Sequence, residues 1–445
     1  MKILLLHPST PKVLVANNPK FVDEARGENP PLGIMYIAGY LKKFSNHTVD
    51  IYDGQLHTNL PEVLQKNNYD IVGISIVTFT LIDSLRTIKE IKTYSPKSII
   101  VVGGTHPTIY PKEMLKLGAD IVVQGEGEHT FLEVLNNIDK EQKIFTPRKF
   151  EEDLDVFPFP YRTEEEKYYS VFSRGNATTI ITSRGCSFGC SFCFRAAMGR
   201  KTRYRSPINV VEEITECVKK NINAFMFYDD TFTIKKDRVI EICQLIIKNK
   251  LNIKFDVRTR VDTIDKEILY WLKKAGIVQI RLGIESGVQR ILDRMKKGIT
   301  LQQTENAFKW CKEAKIETCG YAMFGTPDET REDIFTTMKF IKKIQPDFVH
   351  IAVFTPFPAT DSYLEWVEKN QRDVWLEFAN NPMESFSPPI WGDIPREELE
   401  YYVTKFYKEY YFNPKFILKT LWRTKDYEKI KKYFNAGLKL IKERW

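Results

Sequence analysis

The chain has no run of apolar residues near the ~20 needed to cross a bilayer, so a spanning helix is excluded. Residues 1–140 contain no cysteine, which leaves no thiolate donors for a metal centre in that part. The 7 cysteines of the chain show no paired framework; a disulfide-stapled secreted domain is excluded and a reducing, cytoplasmic setting is expected. Charge of one sign is not concentrated either. The 66 Lys+Arg and 58 Asp+Glu give +8, spread along the chain with some enrichment near its end, which is no nucleic-acid footprint. The opening MKILLLHPST is too short for a signal-peptide core and meets His7-Pro8 at once, so it reads as a first strand.

What is present is period. Residues 1–140 repeat a short apolar run followed by a helix-period segment. The runs are KILLLH, TVDIYD, DIVGISIV, SIIVVGG and DIVVQG. Strands alternating with helices predict an α/β, Rossmann-like doubly wound domain, which binds its ligand at the carboxyl edge of the strands. Ser9, Thr10, Asp53, Gly54, Ser75, Thr78, Gly103, Gly104, Thr105, His106, Gly125 and Glu126 fall at that edge. Residues 141–175, rich in proline and charge, read as a linker. A second series over 176–365 has six strand–helix units, expected to form a partial (β/α)6 barrel. Residues 366–445 read as a helical, aromatic and basic C-terminal region.

Cys186, Cys190 and Cys193 lie in RGCSFGCSFCF, at the end of the first barrel strand. The C-x3-C-x2-C spacing suits a cubane iron–sulfur cluster with one iron free of protein ligands. A structural zinc site wants a fourth ligand, and none follows within the next turns. An open iron implies a non-protein ligand there. Cys217, Cys243, Cys311 and Cys319 read as small buried hydrophobes.

This run resembles the signature of the radical S-adenosylmethionine (radical SAM) superfamily. The segments PPLGIMYIAGYL, VVGGTHPT and GEGEHTFLEVL resemble the cobalamin-binding domain fused to one subclass of it. The resemblance implies a 4Fe-4S cluster on the three cysteines, with SAM on the fourth iron. It also implies probe-able SAM contacts: Phe192 beside adenine, Asp229 or Asp230 for the amino group, Arg281 for the carboxylate with Arg258 and Arg260 competing, Glu285 for the ribose, and the Gly325 turn for adenine. Ser9, Thr10, Ser75, Thr78, Gly103, Gly104, Thr105, Gly125 and Glu126 would line the cobalamin site. The Asp-x-His-x-x-Gly run that supplies a cobalt-ligating histidine is missing, so the lower axial ligand stays open; His7 and His106 stand at strand ends.

The activity so implied is reductive SAM cleavage to a 5′-deoxyadenosyl radical, hydrogen abstraction from an unactivated carbon, and C-methyl transfer from methylcobalamin. Cyclisation or rearrangement of a tetrapyrrole or lipid is the alternative. A methylthiotransferase would call for a second cysteine set in residues 1–140, and a non-catalytic iron–sulfur or cobalamin-binding partner is a further rival. Expected partners are a small-molecule substrate, slightly favoured to be apolar, and a flavodoxin or ferredoxin as electron donor. The aromatic-basic tail reads as a cap on the open barrel, with peripheral membrane contact as the other use of such a face.

Overall fold

The structure is a computed structural model and describes residues 1–11, 29–147, 149–163, 168–169, 176–195, 199–414 and 416–417. The first sheet contains β1 (Lys2–His7), β2 (Thr48–Asp53), β3 (Ile71–Ser75), β4 (Ile99–Gly103), β5 (Ile121–Val123) and β6 (Ile144–Phe145). They lie in the order β2-β1-β3-β4-β5-β6, all parallel. The order reverses between β1 and β3, which makes their carboxyl ends the topological switch point of a doubly wound sheet. The helices are α1 (Leu32–Phe44), α2 (Leu60–Asn67), α3 (Leu81–Tyr94), α4 (Thr105–Ile109), α5 (Pro111–Lys116) and α6 (Gly127–Asn136). Strand β6 lies beyond residue 140, so the domain runs slightly further than its apolar repeats indicate.

The stretch read as a linker is an ordered strap where it is described. Tyr161 N–H donates to the Met35 carbonyl of α1 at 2.9 Å, and Phe157 stacks edge-on against Tyr40. The strap lies so close to α1 that a Cβ at Gly39 would stand 2.4 Å from the Phe159 carbonyl oxygen. Residues 164–167 and 170–175 lie outside the described residues.

The second sheet runs β15-β14-β13-β12-β11-β8-β7. Its members are β7 (Tyr168–Tyr169), β8 (Asn176–Ile180), β11 (Ile222–Phe227), β12 (Lys254–Arg260), β13 (Ile277–Glu285), β14 (Glu317–Phe324) and β15 (Phe348–Val353). The six expected strands are parallel; β7 is added antiparallel on β8. A small ribbon, β9 (Ser183–Arg184) and β10 (Arg203–Tyr204), pairs antiparallel. Outside the sheet lie α7 (Pro207–Lys219), α8 (Lys236–Lys248), α9 (Lys266–Ala275), α10 (Gln289–Arg294), α11 (Leu301–Glu313) and α12 (Arg331–Ile344). Alternation sorts the strands: Phe255, Val257, Ile280, Leu282 and Ile284 join the helix-side core, while Asp256, Arg258, Gln279 and Arg281 take the opposite face.

The C-terminal region is α13 (Asp361–Asn370), α14 (Val374–Asn380) and α15 (Arg396–Tyr411). Trp366, Trp375, Phe378 and Trp391 share one buried cluster with Leu4, Ile74 and Val102 of the first domain. Helix α15 covers the free edge of β15: the hydroxyls of Tyr407 and Tyr411 accept from Ile351 N–H and Val349 N–H, both at 2.9 Å. The described aromatics of this region thus divide between the two domains, Tyr402, Phe406, Tyr407 and Tyr410 joining the helix-side core of the barrel. Residues 418–445 lie outside the described residues, and no described helix is long and apolar enough to cross a membrane.

Candidate active site

The β9–β10 ribbon closes the neck of a loop that carries all three motif cysteines. Cys186 is half-buried, Cys190 buried and Cys193 exposed. The loop is pinned through Ser191, whose N–H donates to the Met295 carbonyl at 3.0 Å and whose carbonyl accepts from Ser362 N–H at 2.9 Å. Although Cys193 is exposed as a residue, desolvation around its thiol, then the charges of Cys190, Asp230 and Cys186, push that thiol up to about 12. Among the described residues no three His, Cys, Asp or Glu side chains converge on one metal position; the loop gathers the thiols without closing them on a point. The donor set nevertheless fits a thiolate-held cluster. Three thiols within electrostatic reach of one another repel as thiolates, a repulsion that a bound iron–sulfur cluster would relieve.

Cations back this loop. Arg260 donates to Cys190 Sγ at 3.5 Å, and its guanidinium lies 3.7 Å from the Phe188 ring centroid. It also donates to the Lys297 carbonyl at 2.6 Å and pairs with Asp262 at 2.9 Å. Lys297 is buried, pairs with Glu285 at 2.7 Å, and faces the Phe192 ring at 5.9 Å. Burial lowers its pKa, but Glu285 and Cys190 outweigh that and raise it. Glu285 itself has φ 60° at a register shift in the β13–β14 ladder. Such a backbone in a bulky residue costs of order 1–3 kcal/mol and clusters at functional sites.

The sequence-derived SAM contacts separate into two groups. Phe192, Asp230, Arg260 and Glu285 gather at the strand ends around the cysteines. Asp230 is exposed, and burial of its surroundings together with the Asp229 charge raises its pKa. Asp229 is turned away: it accepts from Thr182 N–H, Thr182 Oγ1 and Ser183 Oγ, each at 2.6 Å. Those bonds commit it to the strand-to-ribbon corner. Arg281 is also committed, to Asp256 at 2.9 Å and to the Tyr321 hydroxyl at 3.3 Å. Arg258 has no ion-pair partner among the described residues and lies 3.9 Å over the Tyr228 ring. Gly325 has φ 80°, and its N–H, with that of Thr326, donates to Glu329 Oε2 at 2.7 and 3.0 Å. Burial pushes the Glu329 carboxyl up to about 7.

In the first domain the sequence-derived residues all stand at the carboxyl edge. Ser9, Thr10, Ser75, Gly103, Thr105 and Gly125 are partly or fully exposed there. A Cβ on Gly103 would meet nothing closer than 3.5 Å, so the backbone is open to a bulky ligand. Gly104 has φ 106° and stands against Ile76 backbone, a conformation reserved for glycine. These small, uncharged groups fit a large cofactor held mostly through backbone and hydroxyls.

Two others at this edge have internal roles. Thr78 is buried with its Oγ1 3.2 Å from His106 Nδ1. His106 is itself fully buried, and burial lowers its pKa to about 4. Glu126 is buried in ion pairs with Arg184 and Arg203 at 3.1 and 2.7 Å, where charge complementarity rather than a cofactor accounts for it.

Sequence reasoning missed Lys297, Arg184 and Arg203. Lys297 follows a short helix in MKKGIT, where a lysine pair before glycine reads as a solvated helix end. Arg260 of β12, Glu285 of β13 and Phe192 of the cysteine loop surround that end in the fold.

Comparison with known proteins agrees with the two-part architecture. Residues 180–341 match the model of the Radical SAM superfamily and residues 20–135 that of the B12 binding domain. An uncharacterized methyltransferase of Pyrococcus horikoshii is 30% identical, over 95% of each chain. The anaerobic magnesium-protoporphyrin IX monomethyl ester cyclase of Rubrivivax gelatinosus is 29% identical over 99% of this chain and 82% of its own. In fold, the radical SAM methyltransferase TsrM of Kitasatospora setae, solved with cobalamin and a [4Fe-4S] cluster, matches with a TM-score of 0.66 at 18% identity, covering 83% of this chain and 78% of that one. The chain belongs to the radical SAM superfamily, in the subclass that carries a B12-binding domain ahead of the radical SAM barrel.

Proposed function

We propose that the chain is a cobalamin-dependent radical SAM C-methyltransferase acting on a small molecule. The observation that carries this reading is the placement of the cysteine loop at the strand ends of a half barrel, docked against the carboxyl edge of a B12-binding sheet. A cluster with SAM on its open iron supplies one-electron cleavage of the sulfonium, and methylcobalamin supplies a methyl group.

The protein's share is binding and placement. Cys186, Cys190 and Cys193 would hold the cluster, with Arg260 and Lys297 offsetting its negative charge. Asp230 offers acceptor oxygens to the SAM ammonium, and Arg258, stacked on Tyr228, offers a guanidinium to its carboxylate. Glu285, oriented by Lys297, can accept from a ribose hydroxyl. The buried aromatics of residues 354–391 close the space between the two domains against water. An electron donor of the flavodoxin or ferredoxin class fits the need for a one-electron reductant.

The cyclase similarity over 99% of the chain supports a second reading, ring closure or rearrangement of a tetrapyrrole. Anaerobic reconstitution with iron, sulfide and hydroxocobalamin tests both. Iron content, the cobalamin spectrum and 5′-deoxyadenosine are measured with methyl-labelled SAM present. Label passing to bound cobalamin and then to product supports methyl transfer. Deoxyadenosine with no cobalamin bound and no labelled product removes it.

A further inference from the structure

The cysteine loop is fastened at its neck to the B12-binding domain. Strands β9 and β10 pair Arg184 with Arg203, and Arg184 stands two residues before Cys186. Both arginines reach the turn after β5. Arg203 Nη2 and Nη1 donate to Glu126 Oε1 and Oε2 at 2.7 and 2.9 Å, and Arg184 Nη1 donates to Glu126 Oε1 at 3.1 Å. Arg184 Nη2 donates in addition to Glu128 Oε1. All four side chains are buried, none more than 7% exposed. Arg184 is further sandwiched between Tyr36 and Phe157, at 5.1 and 4.8 Å from the ring centroids, and Arg203 lies over Phe150 at 5.0 Å.

On the barrel side the same neck is held by Asp229 and by Arg238, which donates to the Thr182 carbonyl at 2.7 Å. Burying two carboxylates and two guanidiniums costs desolvation that their attraction roughly offsets. The arrangement is therefore a poor route to stability alone, whereas bidentate pairing fixes direction and distance. Glu126 follows Gly125 at the carboxyl edge of the first sheet, so the turn that faces the B12 site also anchors the cluster loop.

We propose that Glu126 and Glu128 are positioning residues for the cluster loop, coupling its order to the B12-binding edge through Arg184 and Arg203. This rests on the assignment of Cys186, Cys190 and Cys193 to a cluster, not on methyl transfer. The coupling is reciprocal, since any ligand that orders one side orders the other.

The test is amide hydrogen exchange of peptides within 185–195 in the full metal-free chain, with and without hydroxocobalamin, followed by reconstitution and measurement of iron content and cluster midpoint potential. Glu128→Gln keeps the volume and removes the charge facing Arg184. Tyr36→Phe is the control, because it keeps the ring that lies over Arg184 and removes only the hydroxyl that accepts from Arg205 across the same domain interface at 3.2 Å. Exchange in Glu128→Gln is expected to be roughly tenfold faster or more, the scale of one lost charge-assisted hydrogen bond. Its response to hydroxocobalamin is also expected to shrink, because only Glu126 still links the two arginines to the B12-binding edge, with a shifted potential at unchanged iron content and a lower melting temperature from the partner lost to buried Arg184. Tyr36→Phe is expected to match wild type in the loop. Equal exchange and potential in all three proteins overturn the proposal, as does the same loosening in Tyr36→Phe, which would make the contact one of general domain docking. Glu126→Asp, shortened by one methylene, is expected to loosen the loop less than Glu126→Gln; the reverse order also overturns it.

Discussion

Glu329→Gln gives a quantitative test of the turn after β14. Glu329 Oε2 accepts from Gly325 and Thr326 N–H, while burial raises its carboxyl from 4.5 to about 7. A raised carboxyl keeps its proton in the folded chain over a range where the unfolded chain has released it. Its contribution to stability is therefore complete below about pH 4.5, falls as pH rises to about 7, and is flat above. The shift corresponds to about 3 kcal/mol. Glutamine cannot ionise, and because both backbone donors meet one oxygen, its carbonyl can accept them both. Its amide NH2 takes the place of Oε1, which has no partner among the described residues; this returns about 1–3 kcal/mol of the gain. Urea unfolding of the metal-free chain from pH 4.5 to 8.5 measures the difference between variant and wild type. Other carboxyls raised by burial, such as Asp256, contribute equally to both and cancel. The variant is expected to gain on wild type by about 3 kcal/mol between pH 4.5 and pH 7 and to hold that gain above. A flat difference across the range refutes the reasoning.

Three further outcomes follow from the geometry. Tyr407→Phe leaves the buried Ile351 N–H without its acceptor and is expected to cost about 1–3 kcal/mol, read as a lower urea midpoint with cluster content unchanged. Lys297→Met strands buried Glu285 and is expected to cost about 3–5 kcal/mol; Lys297→Met with Glu285→Leu should recover most of it in thermal melting, since the pair leaves together. Arg258→Met, which breaks no ion pair among the described residues, is expected to raise the SAM dissociation constant roughly tenfold by equilibrium dialysis with the melting temperature unchanged.

Much of the architecture was legible because period is local. Apolar runs spaced by helix-period segments announced β1 to β5 and the six parallel barrel strands, and the cysteine spacing announced the loop. What escaped depends on contacts between distant residues. Strands β7, β9 and β10 have two residues each, too short to show a period. The strap over α1 read as a linker because its prolines break pattern, yet packing against Gly39 orders it. Among site residues, the apolar runs placed Asp230 just after β11 and Glu285 at the end of β13. They could not tell that Asp229 and Arg281 were already bonded to Thr182 and Asp256, since the partner's position is a matter of sheet register. Glu126 was legible as an edge residue and not as an ion-pair anchor for the same reason.

The phenols of α15 on β15 carry a consequence for how the chain stays apart from its own copies. A half barrel ends in a row of backbone donors that would recruit a neighbouring strand, in another copy or in a misfolded partner. Here two of those donors are held by side chains of a helix. The flank of the barrel is therefore closed without a ladder, by a part whose sequence is free of strand register. Leu399, Val403 and Phe406 of the same helix fill the helix-side core of the barrel, so one element both completes that core and keeps the sheet from propagating into a neighbouring chain.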